Sequence, residues 1–324
     1  MTSLDNSILV YVGLDAVGDG LIKLPFVRAL RAAFPQARIT WMAGKGHSVF
    51  ADTLAPLVHG LIDEVIDEAH IGSRVGELLR RPLPGRSFDL IIDTQRRLLT
   101  TLILRRIRHG RFISAAGGFL LSDARPRVPT RPAAMVAQLM TLIELAGGEP
   151  AAGEAPLPRD AATEALADTL LPPGPDYVGL APGAGGKHKC WPLERFCALA
   201  ATISAKGMTP VFLLGPAETE WMTAIRAEHP DALLPLQQVE RPSAMLTIAL
   251  GRRMRAAIAN DSGTGHMLAA AGIPLVSLFG PTPPDKFAPS ASRLTILRAQ
   301  DFGGSTMEKI PASPVEEALL RSLS

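Results

Sequence analysis

Cysteine is scarce in this 324-residue chain: only Cys190 and Cys197 occur. Their spacing fits neither a zinc knuckle nor a redox pair, which argues against a structural disulfide and for a reducing compartment. No apolar run reaches the ~18 residues of a membrane-spanning helix. Met1–Ser7 lacks the basic and apolar stretches of a secretion signal, so a cytoplasmic protein is expected. A G-x-G-x-x-G fingerprint is missing, which disfavours a dehydrogenase. The first glycine-rich loop is not followed by Lys-Ser/Thr and is therefore not a P-loop. Aromatic residues make up only 5%, and none form a stacking platform between the arginines, so nucleic acid is not an expected partner.

Net charge is only +2, but residues 1–150 hold 18 Lys+Arg against 14 Asp+Glu, and the remainder hold 15 against 17. Arg96, Arg97, Arg105, Arg106, Arg108 and Arg111 cluster, with His109 among them. Such a cluster suits an anionic partner or an acidic lipid surface, and peripheral membrane association stays open on that ground. The plainer reading is a solvated helix face.

The composition is 47% hydrophobic and 20% charged, as in a soluble α/β protein, and the length suits two domains. Apolar runs at 8–13, 38–43, 64–66, 88–93 and 111–115 read as strands of a doubly wound sheet. Between the first two, Leu24, Val27, Leu30 and Phe34 fall at helical spacing, with Pro25 expected in the first turns. A further helix is expected over 135–146. From Gly147 to Pro175 the chain is rich in Pro, Gly and Ala around a short helical segment, 161–169, and reads as an interdomain connection. The α/β rhythm then restarts. Strands are expected at 177–181, 210–214, 256–259 and 274–279, and helices at 192–205, 217–227 and 314–323. The expected domains are 1–155 and 156–324, with the last helix packing back on the first.

Small-residue loops after these strands carry the chemistry, since open α/β sheets bind ligands at their carboxyl edges. Asp261, Ser262, Gly263, Thr264 and His266 sit at a helix start, where free N–H groups and the helix dipole favour an anion such as phosphate. An ordinary cap by Asp261 or Ser262 is the alternative. The loop from Ala181 to Pro192 holds Gly183, Lys187 and Lys189 before a helix; a lysine there can neutralise a phosphate leaving group. Glu218 follows Gly215-Pro216 and suits ribose hydroxyls or a helix dipole. Gly13–Gly20 offers two carboxylates, Asp15 and Asp19, as candidate general bases.

Gly18-Asp19-Gly20 with Leu24-Pro25 and the segment 28–35 resembles the amino-terminal signature of the heptosyltransferases, glycosyltransferase family nine. The segments at 181–192, 213–220 and 260–284 are similar to that family's carboxyl-terminal signatures, in the same order. The resemblance runs from Val10 to Pro289. It implies a GT-B architecture: two Rossmann-like domains facing across a cleft, the first taking the acceptor and the second a nucleotide sugar, typically ADP-heptose. It also implies inversion at the anomeric carbon with no metal or other cofactor, and no D-x-D motif occurs in the chain. By the same resemblance Asp19 is the catalytic base and Lys189 stabilises the departing diphosphate. Gly183, Lys187, Glu218, Asp261, Ser262, Gly263, Thr264 and His266 surround the donor. Gln95, Arg96 and Arg97 fall where the acceptor, an anionic glycolipid or glycan of the lipopolysaccharide type, is expected.

Four departures from the family pattern stand out. Ser262 replaces a usual Thr, and Cys190 a polar residue. Lys23 places a charge in an apolar stretch, and Arg96-Arg97 follow Asp93-Thr94-Gln95 where a small residue is common. The paired arginines imply an unusual acceptor. A GT-B nucleotide-sugar epimerase and a non-catalytic nucleotide-sugar-binding protein are the competing readings. Oligomeric state is not legible in the sequence.

Overall fold

The computed structural model describes residues 6–128, 131–149, 157–291 and 293–323. The chain divides into two compact units, Met1–Pro156 and Leu157–Ser324, each built on its own five-stranded parallel sheet. In the first, β1 (Ser7–Val12), β2 (Arg38–Ala43), β3 (Glu64–Ile66), β4 (Ser87–Asp93) and β5 (Arg108–Ser114) lie in the order β3-β2-β1-β4-β5. Ile8 through Val12 are each 0% exposed. A central parallel strand is covered on both faces, which is why its sequence is continuously apolar rather than alternating.

The connecting helices of this unit are α1 (Val17–Ala33), α2 (Ala55–Val58), α3 (Leu98–Leu104) and α4 (Met135–Leu145). Pro25 lies inside α1, not in its first turns as the sequence suggests. Its missing N–H leaves the Leu21 carbonyl without an i+4 donor, while Leu24, Phe26 and Val27 around it are buried. Burial of that face outweighs the local penalty.

The second unit holds β6 (Tyr177–Ala181), β7 (Thr209–Phe212), β8 (Met254–Asn260), β9 (Leu275–Phe279) and β10 (Leu294–Arg298), ordered β7-β6-β8-β9-β10. Its helices are α5 (Ala161–Leu170), α6 (Leu193–Ala205), α7 (Met222–Glu228), α8 (Ala244–Arg252), α9 (Gly263–Ala270), α10 (Pro284–Phe287) and α11 (Ala312–Leu323). The two strand orders differ: the first unit follows the 3-2-1-4-5 pattern, the second 2-1-3-4-5. The helix expected over 217–227 divides into a 3-10 turn, Pro216–Trp221, and α7. The terminal helix, expected to pack back on the amino-terminal domain, buries Val315, Ala318 and Leu319 in the core of its own unit, beside Ile258 and Val276.

Candidate active site

The strand order of the second unit reverses at β6, which has β7 on one side and β8 on the other. Loops leaving β6 and β8 diverge at such a point and open a crevice at the carboxyl edge of the sheet. Asn260, the fully buried last residue of β8, ties the two loops together. Its Nδ2 donates to the Pro182 carbonyl at 2.6 Å, and its Oδ1 accepts the Trp191 N–H at 3.1 Å. The Trp191 ring is buried and donates from Nε1 to the Ile310 carbonyl at 2.8 Å. The glycine-rich loop is therefore pinned at both ends.

Within it a 3-10 turn, Lys187–Lys189, presents Lys189. Its Nζ donates to Asp261 Oδ2 at 3.0 Å; the two side chains are 30% and 10% exposed. An ammonium has three donors, so the pair leaves others for a ligand. Ser262 is the N-cap of α9, its Oγ accepting the Gly265 N–H at 3.2 Å. That settles the choice between Asp261 and Ser262 as cap, and it leaves the Asp261 carboxylate to hold Lys189. The Gly263 and Thr264 amides head the helix without intrahelical acceptors. His266 is buried in the same turn, its N–H on the Ser262 carbonyl at 3.2 Å.

Glu218 is 8% exposed, yet among the described residues its carboxylate takes no hydrogen bond or ion pair. Two glycines make room for it: a Cβ on Gly183 would meet its Cδ at 2.6 Å, and one on Gly215 its Oε2 at 2.7 Å. The Cys190 thiol is pushed up by burial and then by the Glu218 carboxylate, which keeps it protonated and unreactive beside the site. Gln237 escaped the sequence reading. Its Nε2 donates to the Leu214 carbonyl at 2.9 Å, just past the end of β7, while its Oε1 is buried without a donor. Lys187, by contrast, pairs with Glu220 at 3.2 Å in an exposed contact, 86% and 61% accessible. Such pairs hold little energy.

Away from this edge, Cys197, Glu228 and His229 bring three potential metal-ligand atoms within 4.8 Å of one another, on α6 and at the end of α7. None of them belongs to the residue set described above.

In the first unit the order reverses at β1, between β2 and β4. Asp19 is the third residue of α1 and partly exposed; the N-cap, Ala16, supplies no side-chain bond. A carboxylate there complements the helix dipole and stays accessible. Asp15 does not. It is buried, its Oδ1 bonded by the buried Lys23 ammonium, and its Oδ2 accepts from Trp41 Nε1 and Ser48 Oγ, both at 3.0 Å. This corrects the reading of Asp15 as a candidate base: its acceptor capacity is spent on structure. It also accounts for Lys23, whose charge in an apolar stretch is the partner of Asp15.

Gln95 lies over the first loop, since a Cβ on Gly13 would meet its Oε1 at 3.2 Å. Its N–H donates to Asp93 Oδ1 at 2.9 Å, and Asp93 Oδ2 accepts from Thr101 Oγ1 at 2.6 Å and Ser114 Oγ at 2.9 Å. Arg96 lines a cavity of about 300 Å³ with Arg125, Arg131, Phe119, Gln138 and Thr141. Burial and then the neighbouring Arg131 lower its guanidinium pKa. Arg97 is exposed at the start of α3 and is not among the residues lining this cavity.

Burial pushes the Asp93 carboxyl up from its ordinary 3.8 to about 6, against the pull of its three hydrogen bonds. The native state therefore holds this proton over a range where the unfolded chain has lost it. The contribution of Asp93 to stability falls as pH rises from about 4 to about 6 and is flat above. Asp93→Asn is expected to remove that slope from a plot of urea midpoint against pH; a slope unaltered by the substitution would contradict the assignment.

The family model for glycosyltransferase family 9 (heptosyltransferase) matches residues 77–312. That span contains Gln95, Lys189, Glu218 and Asp261–His266 and leaves Gly18-Asp19-Gly20 outside. Lipopolysaccharide heptosyltransferase 2 of Salmonella typhimurium is 27% identical over 314 residues, 90% of this chain and 87% of the relative. The glycosyl transferase family 9 structure from Veillonella parvula aligns with a TM-score of 0.77 at 20% identity, covering 99% of this chain and 98% of that one. The Escherichia coli ADP-heptose lipopolysaccharide heptosyltransferase II aligns at 0.69 with 23% identity, covering 98% of each. At these identities the structures establish the shared fold, that of GT-B proteins with two parallel-sheet α/β domains.

Proposed function

The chain belongs to glycosyltransferase family 9, the heptosyltransferases, and from that premise we propose that it moves a heptose from ADP-heptose to a hydroxyl of a lipopolysaccharide-type acceptor, inverting the anomeric centre without a metal. Family membership sets aside the epimerase and binding-only readings. The amino-terminal unit takes the acceptor and the carboxyl-terminal unit the nucleotide sugar. Asp19 removes the acceptor proton as the freed oxygen attacks the anomeric carbon. The bond to the diphosphate breaks in the same displacement, so the configuration inverts, and ADP departs with the electron pair. Lys189 and the Gly263 and Thr264 amides meet the charge that develops on the leaving diphosphate.

The observation that carries this reading is the Lys189–Asp261 pair at the head of α9. A cation held by a carboxylate beside free helix amides is preorganised for a diphosphate. Glu218, buried and unpartnered, accepts from the ribose hydroxyls. His266 and Ser262 shape the same turn. The arginines around Arg96 suit a phosphorylated or carboxylated sugar, and a glycolipid acceptor would be met at the inner face of the membrane by a peripherally bound protein.

Calorimetry with ADP, UDP, GDP and CMP tests the donor assignment. ADP is expected to bind in preference to the others, and Glu218→Gln to weaken it by about 10–100-fold, the loss of a charge-assisted hydrogen bond. Preference for another nucleotide, or a Glu218→Gln affinity equal to wild type, would contradict it. Turnover is expected to persist in EDTA.

A further inference from the structure

Apart from the carboxyl-edge loops, the amino-terminal unit carries a second surface with unusual chemistry. The 3-10 turn Val75–Leu79 packs beside α3. The two are joined by Thr100 Oγ1 donating to the Gly72 carbonyl at 2.6 Å and by Arg106 Nε donating to the Arg80 carbonyl at 3.2 Å. Their outer faces are apolar: Leu79 is 86% exposed, Val75 68%, Leu98 50% and Leu102 43%. Leu98 and Leu102 are four apart and share one face of α3. Of the eight large hydrophobic residues exposed among the described residues, only Leu166 lies in the other unit. Exposed apolar side chains gathered on one unit mark an interaction surface.

Next to them a cavity of about 390 Å³ is lined by Arg81, Arg105, Arg106, Ile107, Arg108 and His109. Arg105 is committed to the Leu121 carbonyl at 2.6 Å and to Asp123 at 3.3 Å. Arg81, Arg106 and Arg108 have no carboxylate partner among the described residues and are exposed. Residues 74–111 hold ten arginines against three acids, Glu77, Asp89 and Asp93. All three acids are occupied: Glu77 by the Gly72 and Arg74 amides, Asp89 by Ser7, and Asp93 by the buried bonds described above. Arg86 pairs with Glu64 and Arg105 with Asp123 from outside the stretch, which leaves Arg81, Arg106 and Arg108 as the charges at this cavity without a carboxylate among the described residues.

We propose that this face docks the protein on an anionic lipid bilayer, with Val75 and Leu79 entering the interface and Arg81, Arg106 and Arg108 binding lipid phosphates. A planar guanidinium matches a phosphate with paired hydrogen bonds, and basic side chains beside apolar ones are the composition that holds a surface on acidic lipid. A soluble anion would use the arginines and have no need of the leucine and valine; that is what favours the bilayer. Arg108 opens β5, whereas Asp19 follows the carboxyl end of β1, so in a parallel sheet the arginine end of this face lies away from the acceptor loops, while α3, opened by Leu98, starts after the carboxyl end of β4. The choice of partner rests on the peripheral association proposed above, but the test needs no turnover, so the two can fail separately.

Co-sedimentation of the full chain with phosphatidylcholine vesicles, with and without phosphatidylglycerol, tests it. The protein is expected to bind only the phosphatidylglycerol vesicles. Arg81→Glu/Arg106→Glu/Arg108→Glu is expected to weaken that binding by roughly tenfold or more, and Val75→Ser/Leu79→Ser by roughly tenfold. All five positions are exposed, and circular dichroism reports whether each variant keeps the native helix content. Equal binding to both vesicles, or none, would overturn the proposal. So would a serine variant that binds like wild type, since it would leave the arginines as a site for a soluble anion.

Discussion

Asp19→Asn is expected to lower kcat for sugar transfer by about 10²–10⁴-fold, the contribution of a positioned general base, with ADP affinity unchanged. Asp19 stands in the first turn of α1, partly exposed, at the carboxyl edge of β1. The proposed donor site lies in a different unit, on Lys189, Glu218 and α9. A substitution confined to proton removal therefore separates chemistry from nucleotide binding. Steady-state rates with paired calorimetry check it. Full activity in Asp19→Asn would remove the base from the mechanism; a parallel loss of ADP affinity would mean the residue acts on the donor instead. Lys189→Ala should behave differently, losing both ADP affinity and rate, because in the proposed mechanism its ammonium meets the diphosphate before and during departure.

Lys23→Met is expected to destabilise the amino-terminal unit by about 3–5 kcal/mol, the cost of stranding a buried charge by removing its partner. The Asp15 side chain is 0% exposed and that of Lys23 8%. With Lys23 gone, Trp41 Nε1 and Ser48 Oγ still donate to Asp15, but no cation offsets its charge. Asp15→Asn/Lys23→Met is expected to recover most of the loss, because a neutral amide oxygen still accepts from Trp41 and Ser48 without a charge to desolvate. Urea unfolding of the three proteins measures it. A single variant costing less than about 1 kcal/mol, the range of surface pairs, would show that the pair does not hold the first loop.

The sequence carried most of the strands because the central ones, such as β1, β6 and β9, are buried on both faces, so their apolar runs are continuous and short. It did not disclose α8, in which every residue from Ala244 to Gly251 is buried; a helix apolar all round has no amphipathic period to read. β10 at the sheet edge, half-buried along Leu294–Leu297, carries too weak a pattern to be separated from the loop before it. The loops proposed to hold the donor stand out in sequence by their glycines, and glycine is demanded where Gly183 and Gly215 abut Glu218. Residue chemistry alone did not say which carboxylate of the first loop is free, although the family resemblance pointed to Asp19. Asp15 and Asp19 look alike until the fold brings Lys23, Trp41 and Ser48 to one and leaves the other at the surface. Gln237 is likewise ordinary in sequence, and only its buried, donorless oxygen draws notice.

The most direct test of the account is to incubate the protein with ADP-heptose and a lipopolysaccharide core truncated before its heptoses, following ADP release and reading the new glycosidic linkage by NMR. The account predicts that ADP appears only when acceptor is present, that one heptose is added per ADP released, and that its anomeric configuration is opposite to that in the donor. Release without acceptor, or a product that retains the donor configuration, would contradict a single displacement driven by Asp19.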